Sequence, residues 1–291
     1  MKPAPFDYVR PATLDDVLAE LAGGEGKVLA GGQSLVPVLA MRLGRPRTLV
    51  DINSVEELHD FGRDGDTLRI GAAVTQRTVE RSALTSTVPL IGLAIPFVGH
   101  RELRSRGTVC GSLAHADPAA ELPAVACCLG ATVVVAGPGG VRRAPAEEFF
   151  VGAMTTGAGP EDVVCAVELP VAGPGEGFGF AEIARRHGDF ALAGVAARVR
   201  VDERGEPVLA RLAGFGVSDR AVCRDVTELL RGLDERPTEA ALRPATAVLA
   251  EEMVDTGGDA HGSTGYRRRL FGVLAARELV SALARAREEV L

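Results

Sequence analysis

The sequence contains no tryptophan and only two tyrosines, so it lacks the aromatic platforms on which single-stranded nucleic acid stacks. Lysine occurs only at Lys2 and Lys27, and 32 basic residues stand against 39 acidic ones. A formal net charge of −7 draws the chain neither to nucleic acid nor to an anionic membrane. No run reaches the roughly eighteen uninterrupted apolar residues of a membrane span, and the opening MKPAPFDYVRP lacks the apolar stretch of a secretory leader. A soluble, cytoplasmic chain is expected. Cys110, Cys127, Cys128, Cys165 and Cys223 are odd in number and form no CxxC pair, which argues against a disulfide framework. The histidines form no HExxH or HxH cluster, so no metal ligands are nominated. Three catalytic signatures are missing as well: GxGxxG after the first strand, GxxxxGK[ST], and the GxSxG of a nucleophile elbow.

What is present is glycine and proline, 35 and 17 residues in a chain of 291, enough to punctuate many short elements. The pattern predicts a strand at 6–10, a helix capped by Thr13, a buried strand at 28–30, a helix from Ser34 to about Leu43, and a strand at 48–52. Together these make a small βαβ-like lobe. A strand at 67–74, broken helical patterns over 75–99, a helix at 119–129, a hairpin around the 138–140 turn and a strand at 163–170 follow. Four glycines and a proline in residues 172–179 read as a linker. Beyond it come two alternating strands turning at 203–206 and helices near 223–232, 238–253 and 265–289, the order of an α+β domain.

Two segments carry chemistry. Leu29, Ala30, Gly31, Gly32, Gln33, Ser34 and Leu35 sit between a buried strand and a helix start. Paired glycines let main-chain N–H groups approach a ligand, the helix start adds unpaired donors, and Ser34 is placed to cap the helix. Gly107, Thr108, Val109, Cys110, Gly111 and Ser112 repeat the design, with hydroxyls and with His115 and Asp117 close behind. Either segment alone is an ordinary turn. Two of them suit a dinucleotide whose diphosphate lies in a seam between lobes. His115 and Asp117 read as polar loop residues, and Cys127 and Cys128 as buried inert thiols.

AGGQSLVPVLAMRL (30–43), VGHRELRSRGTVCGSLAHADPAAELPAV (98–125), PAEEFFVG (145–152) and ARRHGDFALAGVAA (184–197) resemble the FAD-binding medium subunit of molybdenum hydroxylases, the carbon monoxide dehydrogenase and xanthine dehydrogenase family. The resemblance covers nearly the whole chain. It implies an α+β fold: a two-lobed FAD-binding domain of the vanillyl-alcohol oxidase (PCMH) type over 1–176, with lobes about 1–53 and 54–176. A C-terminal α+β domain with a small antiparallel sheet and helices would occupy 177–291. The implied partners are a molybdenum-containing large subunit and a 2Fe-2S small subunit, with electrons leaving FAD for an acceptor such as NAD or quinone. The molybdenum cofactor and the clusters would reside in those partners, and the redox chemistry in FAD, so no catalytic side chain is nominated. Carried over, the two glycine segments would hold the diphosphate, Asp117 and Glu121 the ribose side, and main-chain groups at Leu169 the adenine. His100 would lie near the cofactor, and Phe190 near the flavin ring.

One departure stands out: the family reads Thr-x-Gly-Gly where this chain has Thr108, Val109, Cys110, Gly111. A left-handed backbone at Cys110 would cost about 1–2 kcal/mol. An ordinary backbone would instead set a reactive thiol beside the diphosphate or flavin. Two other functions compete, a self-sufficient flavin oxidoreductase of the same fold and a non-catalytic scaffold for another phosphate ligand.

Overall fold

The computed structural model describes residues 2–234 and 237–290, so Met1 and Leu291, the outer ends of the expected domains, lie outside it. The first lobe is a three-stranded parallel sheet, ordered β1 (Asp7–Val9), β3 (Thr48–Asp51), β2 (Gly26–Leu29). Helix α1 (Leu14–Leu21) connects β1 to β2, and its Thr13 cap accepts from the Asp16 amide at 3.2 Å as expected. Helix α2 (Leu35–Ala40) connects β2 to β3 and is shorter than the sequence implied. The chain leaves it through Met41 into a left-handed Arg42, which no helix continues past.

The second lobe is a five-stranded antiparallel sheet. Its strands are β4 (Phe61–Asp64) and β5 (Thr67–Gly71), then β6 (Thr132–Gly137) and β7 (Gly140–Pro145), with β10 (Val163–Pro170) between β5 and β6. Between β5 and β6 the chain winds through α3 (Gln76–Arg81), α4 (Pro89–Ala94), α5 (Arg101–Arg104), α6 (Val109–His115) and α7 (Glu121–Leu129). The 3-10 turn Ile95–Phe97 follows α4. After β7 come α8 (Ala146–Phe149) and the hairpin β8 (Phe150–Gly152) and β9 (Thr155–Thr156). All nine residues of α7 are buried, as befits a helix packed on every side.

The last four strands form an antiparallel sheet, β11 (Glu176–Ala184), β12 (Ala191–Val201), β13 (Pro207–Phe215) and β14 (Val222–Asp225). Helices α9 (Thr227–Leu230), α10 (Glu239–Met253) and α11 (Thr264–Glu288) follow. Two sequence expectations fail here. Half of the glycine-rich 172–179 segment is strand, because Gly177 and Gly179 lie where β11 meets the α11 backbone. A Cβ at Gly177 would overlap the Ala282 carbonyl oxygen and stand 3.0 Å from Ala286 Cα. The helix read over 223–232 is instead β14 followed by the single turn α9, since the main chain of 222–225 pairs with β13.

This sheet has apolar contacts on both faces. Ala193, Val195, Val199 and Leu212 pack with α10 and α11, while Phe178, Phe180, Ala196, Ala213 and Phe215 join the core of the first domain. Among the described residues no helix is long and apolar enough to cross a membrane.

Candidate cofactor cleft

The first loop leaves β2 at Ala30. Asn53 Nδ2 donates to the Ala30 carbonyl at 2.9 Å and to Asp51 Oδ1 at 2.6 Å, and the Tyr8 hydroxyl donates to the other Asp51 oxygen. Burial pushes the Asp51 carboxyl up, but the bonds from Tyr8 and Asn53 outweigh it and hold it below its ordinary range. Gln33 Nε2 folds back onto the Gly31 carbonyl at 3.1 Å. The two glycines do different work. Gly32 is left-handed at φ +72°, whereas Gly31 supplies clearance: a Cβ there would overlap the Arg106 carbonyl oxygen and stand 2.8 Å from Gly107 Cα.

Ser34 does not cap α2. Its backbone is already helical (φ −91°, ψ −43°), and a residue in that conformation does not return its oxygen to the next amides. Among the described residues, no acceptor meets the N–H groups of Gly31, Gly32, Gln33, Ser34 and Leu35, nor does any partner meet the Ser34 hydroxyl. Five consecutive free amides before a helix form a nest for an anion.

The second loop is fixed from inside. The Gln76 amide donates to the Gly107 carbonyl at 2.8 Å, and the Val109 amide reaches Val74 at 3.4 Å. Thr108 is the extended N-cap of α6, its Oγ1 accepting from the Gly111 amide at 3.0 Å. The N–H groups of Thr108 and Cys110 and the Ser112 hydroxyl have no partner among the described residues.

Cys110 departs from both expectations. It has ordinary helical backbone, so no left-handed strain arises. Its thiol is 2% exposed, turned inward onto the Ile70 carbonyl at 3.4 Å, and burial pushes it up to about 12. Its amide is without an acceptor among the described residues, while the buried thiol is not available as a reactive group.

The loops meet where Gly31 abuts Arg106 and Gly107, and beside them opens a cleft of about 430 Å³. Leu29, Ala30, Gly31, Gly32 and Gln33 line it, together with Val36, Pro37, Asp51, Asn53, Leu103 and Arg106. A second cavity of about 350 Å³ shares Gly31, Asp51, Asn53 and Arg106 and adds Arg10, Thr75 and Ser105. The Arg106 guanidinium makes no hydrogen bond or ion pair among the described residues, an available cation at the junction of two amide-rich loops. Sequence reasoning missed Arg106, Asn53 and Asp51. The available signal was an arginine directly before the Gly107 turn.

The remaining expected residues surround this junction unevenly. The Gly111 backbone comes close to Ala30, an added Cβ standing 4.0 Å from that of Ala30. Asp117 Oδ1 accepts from the Ala119 amide at 2.9 Å, closing its own turn. Glu121 opens α7 and is 8% exposed; burial pushes its carboxyl up to about 7, with the charge of Asp117 adding to the shift. His100 precedes α5, in contact with Gly188 on the β11–β12 turn, while Phe190 on the same turn is 71% exposed. Leu169 lies in β10 opposite Leu68, buried in the core, and does not line the cleft.

The free amides of Gly31, Gly32 and Gln33 and the free Arg106 line the glycine-walled cleft, and the free amides of Ser34, Leu35, Thr108 and Cys110 and the free hydroxyls of Ser34 and Ser112 lie on the same two loops, a donor set that fits a diphosphate. Residues 4–172 match the family described as FAD binding domain in molybdopterin dehydrogenase, and residues 178–282 the CO dehydrogenase flavoprotein C-terminal domain. The chain is 36% identical to the 6-hydroxypseudooxynicotine dehydrogenase complex subunit alpha of Paenarthrobacter nicotinovorans, covering 99% of this chain and 97% of that protein. It is 32% identical to the carbon monoxide dehydrogenase medium chain of Afipia carboxidovorans, covering 99% and 100%. Among solved structures, carbon monoxide dehydrogenase from Hydrogenophaga pseudoflava, lacking the Mo-pyranopterin moiety, superposes with a TM-score of 0.92 at 31% identity over 98% of this chain and 99% of that one.

Proposed function

The chain belongs to the FAD-binding medium subunits of molybdenum hydroxylases, the carbon monoxide dehydrogenase and xanthine dehydrogenase family, and we propose that its FAD lies with the diphosphate between the Gly31–Leu35 and Thr108–Ser112 loops. It is the oxidoreductase flavoprotein component of a multi-subunit complex. When bound, FAD supplies a carrier that takes electrons from iron–sulfur clusters and gives them to an external acceptor.

The protein's own part is to bind, orient and shield. Amides of Gly31 to Leu35 and of Thr108 and Cys110 would donate to the diphosphate, with Arg106 balancing its charge. The Tyr8, Asp51 and Asn53 network holds Ala30 in place, so the donors are aligned before the ligand arrives. Asp117 and Glu121 would face the ribose or ribityl hydroxyls. The division into residues 1–176 and 177–291 is proposed on the same footing, with a large molybdenum subunit and a small 2Fe-2S subunit as partners. NAD or a quinone is the proposed acceptor, and the cytoplasm the proposed setting, which suits five cysteines carried as free thiols.

The observation that carries the cofactor placement is the run of unpaired amides converging from two loops. The purified full chain, reconstituted with FAD and desalted, is expected to be yellow and to release one FAD per chain on denaturation. A released nucleotide without flavin would select the scaffold reading. Anaerobic flavin reduction by a small alcohol without partner subunits would select the self-sufficient oxidoreductase.

A further inference from the structure

The second loop of the cleft is held from behind by one guanidinium. Arg104 closes α5 and is 8% exposed, turned inward, while Leu103 just before it and Arg106 two residues on line the cleft. On one side its Nε and Nη2 donate to the two carboxylate oxygens of Glu80 on α3, at 3.2 and 2.9 Å. On the other, its Nη1 donates to the carbonyls of Pro96, Val98 and Gly99 at 3.4, 3.2 and 3.0 Å. Arg77, one turn earlier on α3, donates to the same carboxylate at 2.8 Å. Chiefly through the bond from Arg104, the Glu80 carboxyl is held below its ordinary range, so the bridge is ionised at neutral pH. Only a planar fork serves both sides at once; a lysine ammonium at this place is a single point charge.

Three segments that reach the cleft converge on this fork. Helix α3 begins with Gln76, whose amide donates to the Gly107 carbonyl at 2.8 Å and whose Nε2 donates to that of Thr108 at 3.4 Å. After Arg104 the chain closes on itself, the Arg106 and Gly107 amides both donating to the Leu103 carbonyl, at 3.1 and 2.7 Å. The second loop is thus tied to α3 twice, directly at Gln76 and through Arg104 at Glu80. It is also the surface on which the first loop rests, since the Arg106 carbonyl oxygen and Gly107 Cα leave no room for a Cβ at Gly31. The third segment leads from Pro96 through a left-handed Gly99 to His100. There it meets the C-terminal sheet: a Cβ at Gly188 on the β11–β12 turn would stand 2.9 Å from two atoms of the His100 ring.

We propose that Arg104, braced on Glu80, is a positioning residue for the cofactor, acting through Arg106. It sets the place from which Arg106 faces the first loop, so that the cation at the junction is aimed before a diphosphate arrives. Arg104 itself does not line the cleft. A buried arginine–carboxylate bridge often adds no net stability over an apolar pair, so its use here is the geometry it imposes. This inference rests on the cofactor placement above.

The experiment is titration of the full-length apoprotein with FAD for wild type, Arg104→Lys, Arg106→Met and the double variant, each shown to be folded by circular dichroism and held well below its melting temperature. Arg104→Lys is expected to weaken binding about tenfold. In the Arg106→Met background the same change should cost about threefold at most, because the group it positions is gone. An arginine with a merely structural role would lower the melting temperature and leave the two losses in affinity additive. Wild-type affinity in folded Arg104→Lys, or additive losses, would overturn the proposal.

Glu80→Gln serves if Arg104→Lys does not fold, since its amide oxygen still accepts from the guanidinium. Hydrogen exchange over residues 103–108 then reads the brace without cofactor. In wild-type apoprotein the Gly107 amide should already be protected; in Glu80→Gln apoprotein it should exchange roughly tenfold faster or more, and slow again when FAD is added. Equal exchange in the two apoproteins would overturn the brace whether or not FAD binds. No FAD binding by wild type, or undiminished binding by Arg106→Met, would instead overturn the cofactor placement and with it the route through Arg106.

Discussion

At Gly31 the constraint is space and at Gly32 it is conformation, so substitutions there should separate. Gly31→Ala drives a methyl into the Arg106 carbonyl and has no rotamer with which to evade it. Loss of FAD from the desalted protein and a lower melting temperature are expected together, because the two loops are forced apart. Gly32→Ala keeps the contact between the loops but holds alanine left-handed, at a cost of about 1–2 kcal/mol. Flavin titration should show weakened rather than abolished binding. The glycine pair was legible in the sequence; the division of labour was not, because Arg106 arrives from a distant part of the chain. Cys110 teaches the reverse. Against the family pattern it looked like a defect, yet its side chain fills the core while its amide serves the loop. Cys110→Gly should leave FAD affinity within twofold and destabilise the protein by about 1 kcal/mol or more in denaturant melts. The native thiol should resist alkylation that modifies it after unfolding.

At the scale of elements, composition misled where packing demanded an absence. Residues 172–179 read as a linker because glycine usually breaks a strand, but β11 tolerates Gly177 and Gly179 where the α11 backbone leaves no room for a Cβ. Gly177→Val should therefore destabilise the protein by at least about 1–3 kcal/mol, the usual penalty for overpacking. Thermal melting checks this, and an unchanged melting temperature would mean that α11 can shift away. β14 was misread for another reason. Its four residues form an edge strand whose register comes from β13, so no periodicity within 222–225 could announce it. By contrast, the hairpin of β6 and β7 and the helix α7 were readable, since a tight turn between two strands and a helical run that is apolar after Glu121 are local signals.

At the scale of the whole molecule, the two sequence domains share one of the two hydrophobic cores. Phe178, Phe180 and Phe215 pack into the first domain, and two arginines from the second serve carbonyls at the end of α7: Arg198 donates to Leu129 at 2.9 Å and Arg211 to Cys127 at 3.0 Å. Helix ends buried without such donors are costly. A chain cut after residue 172 would lose these donors and expose α7, so it should be aggregation-prone in a way that the family boundary alone does not imply. The full chain is expected to unfold in one calorimetric transition; two well-separated transitions would show that the shared core contributes little coupling. FAD offers the stricter test. A ligand at 100 times its Kd stabilises the native state by about 2.7 kcal/mol. If the cleft and the C-terminal sheet belong to one cooperative unit, saturating FAD should move the entire transition upward without changing its shape. A shoulder left behind at the apoprotein temperature would mean that the sheet melts independently of the cleft.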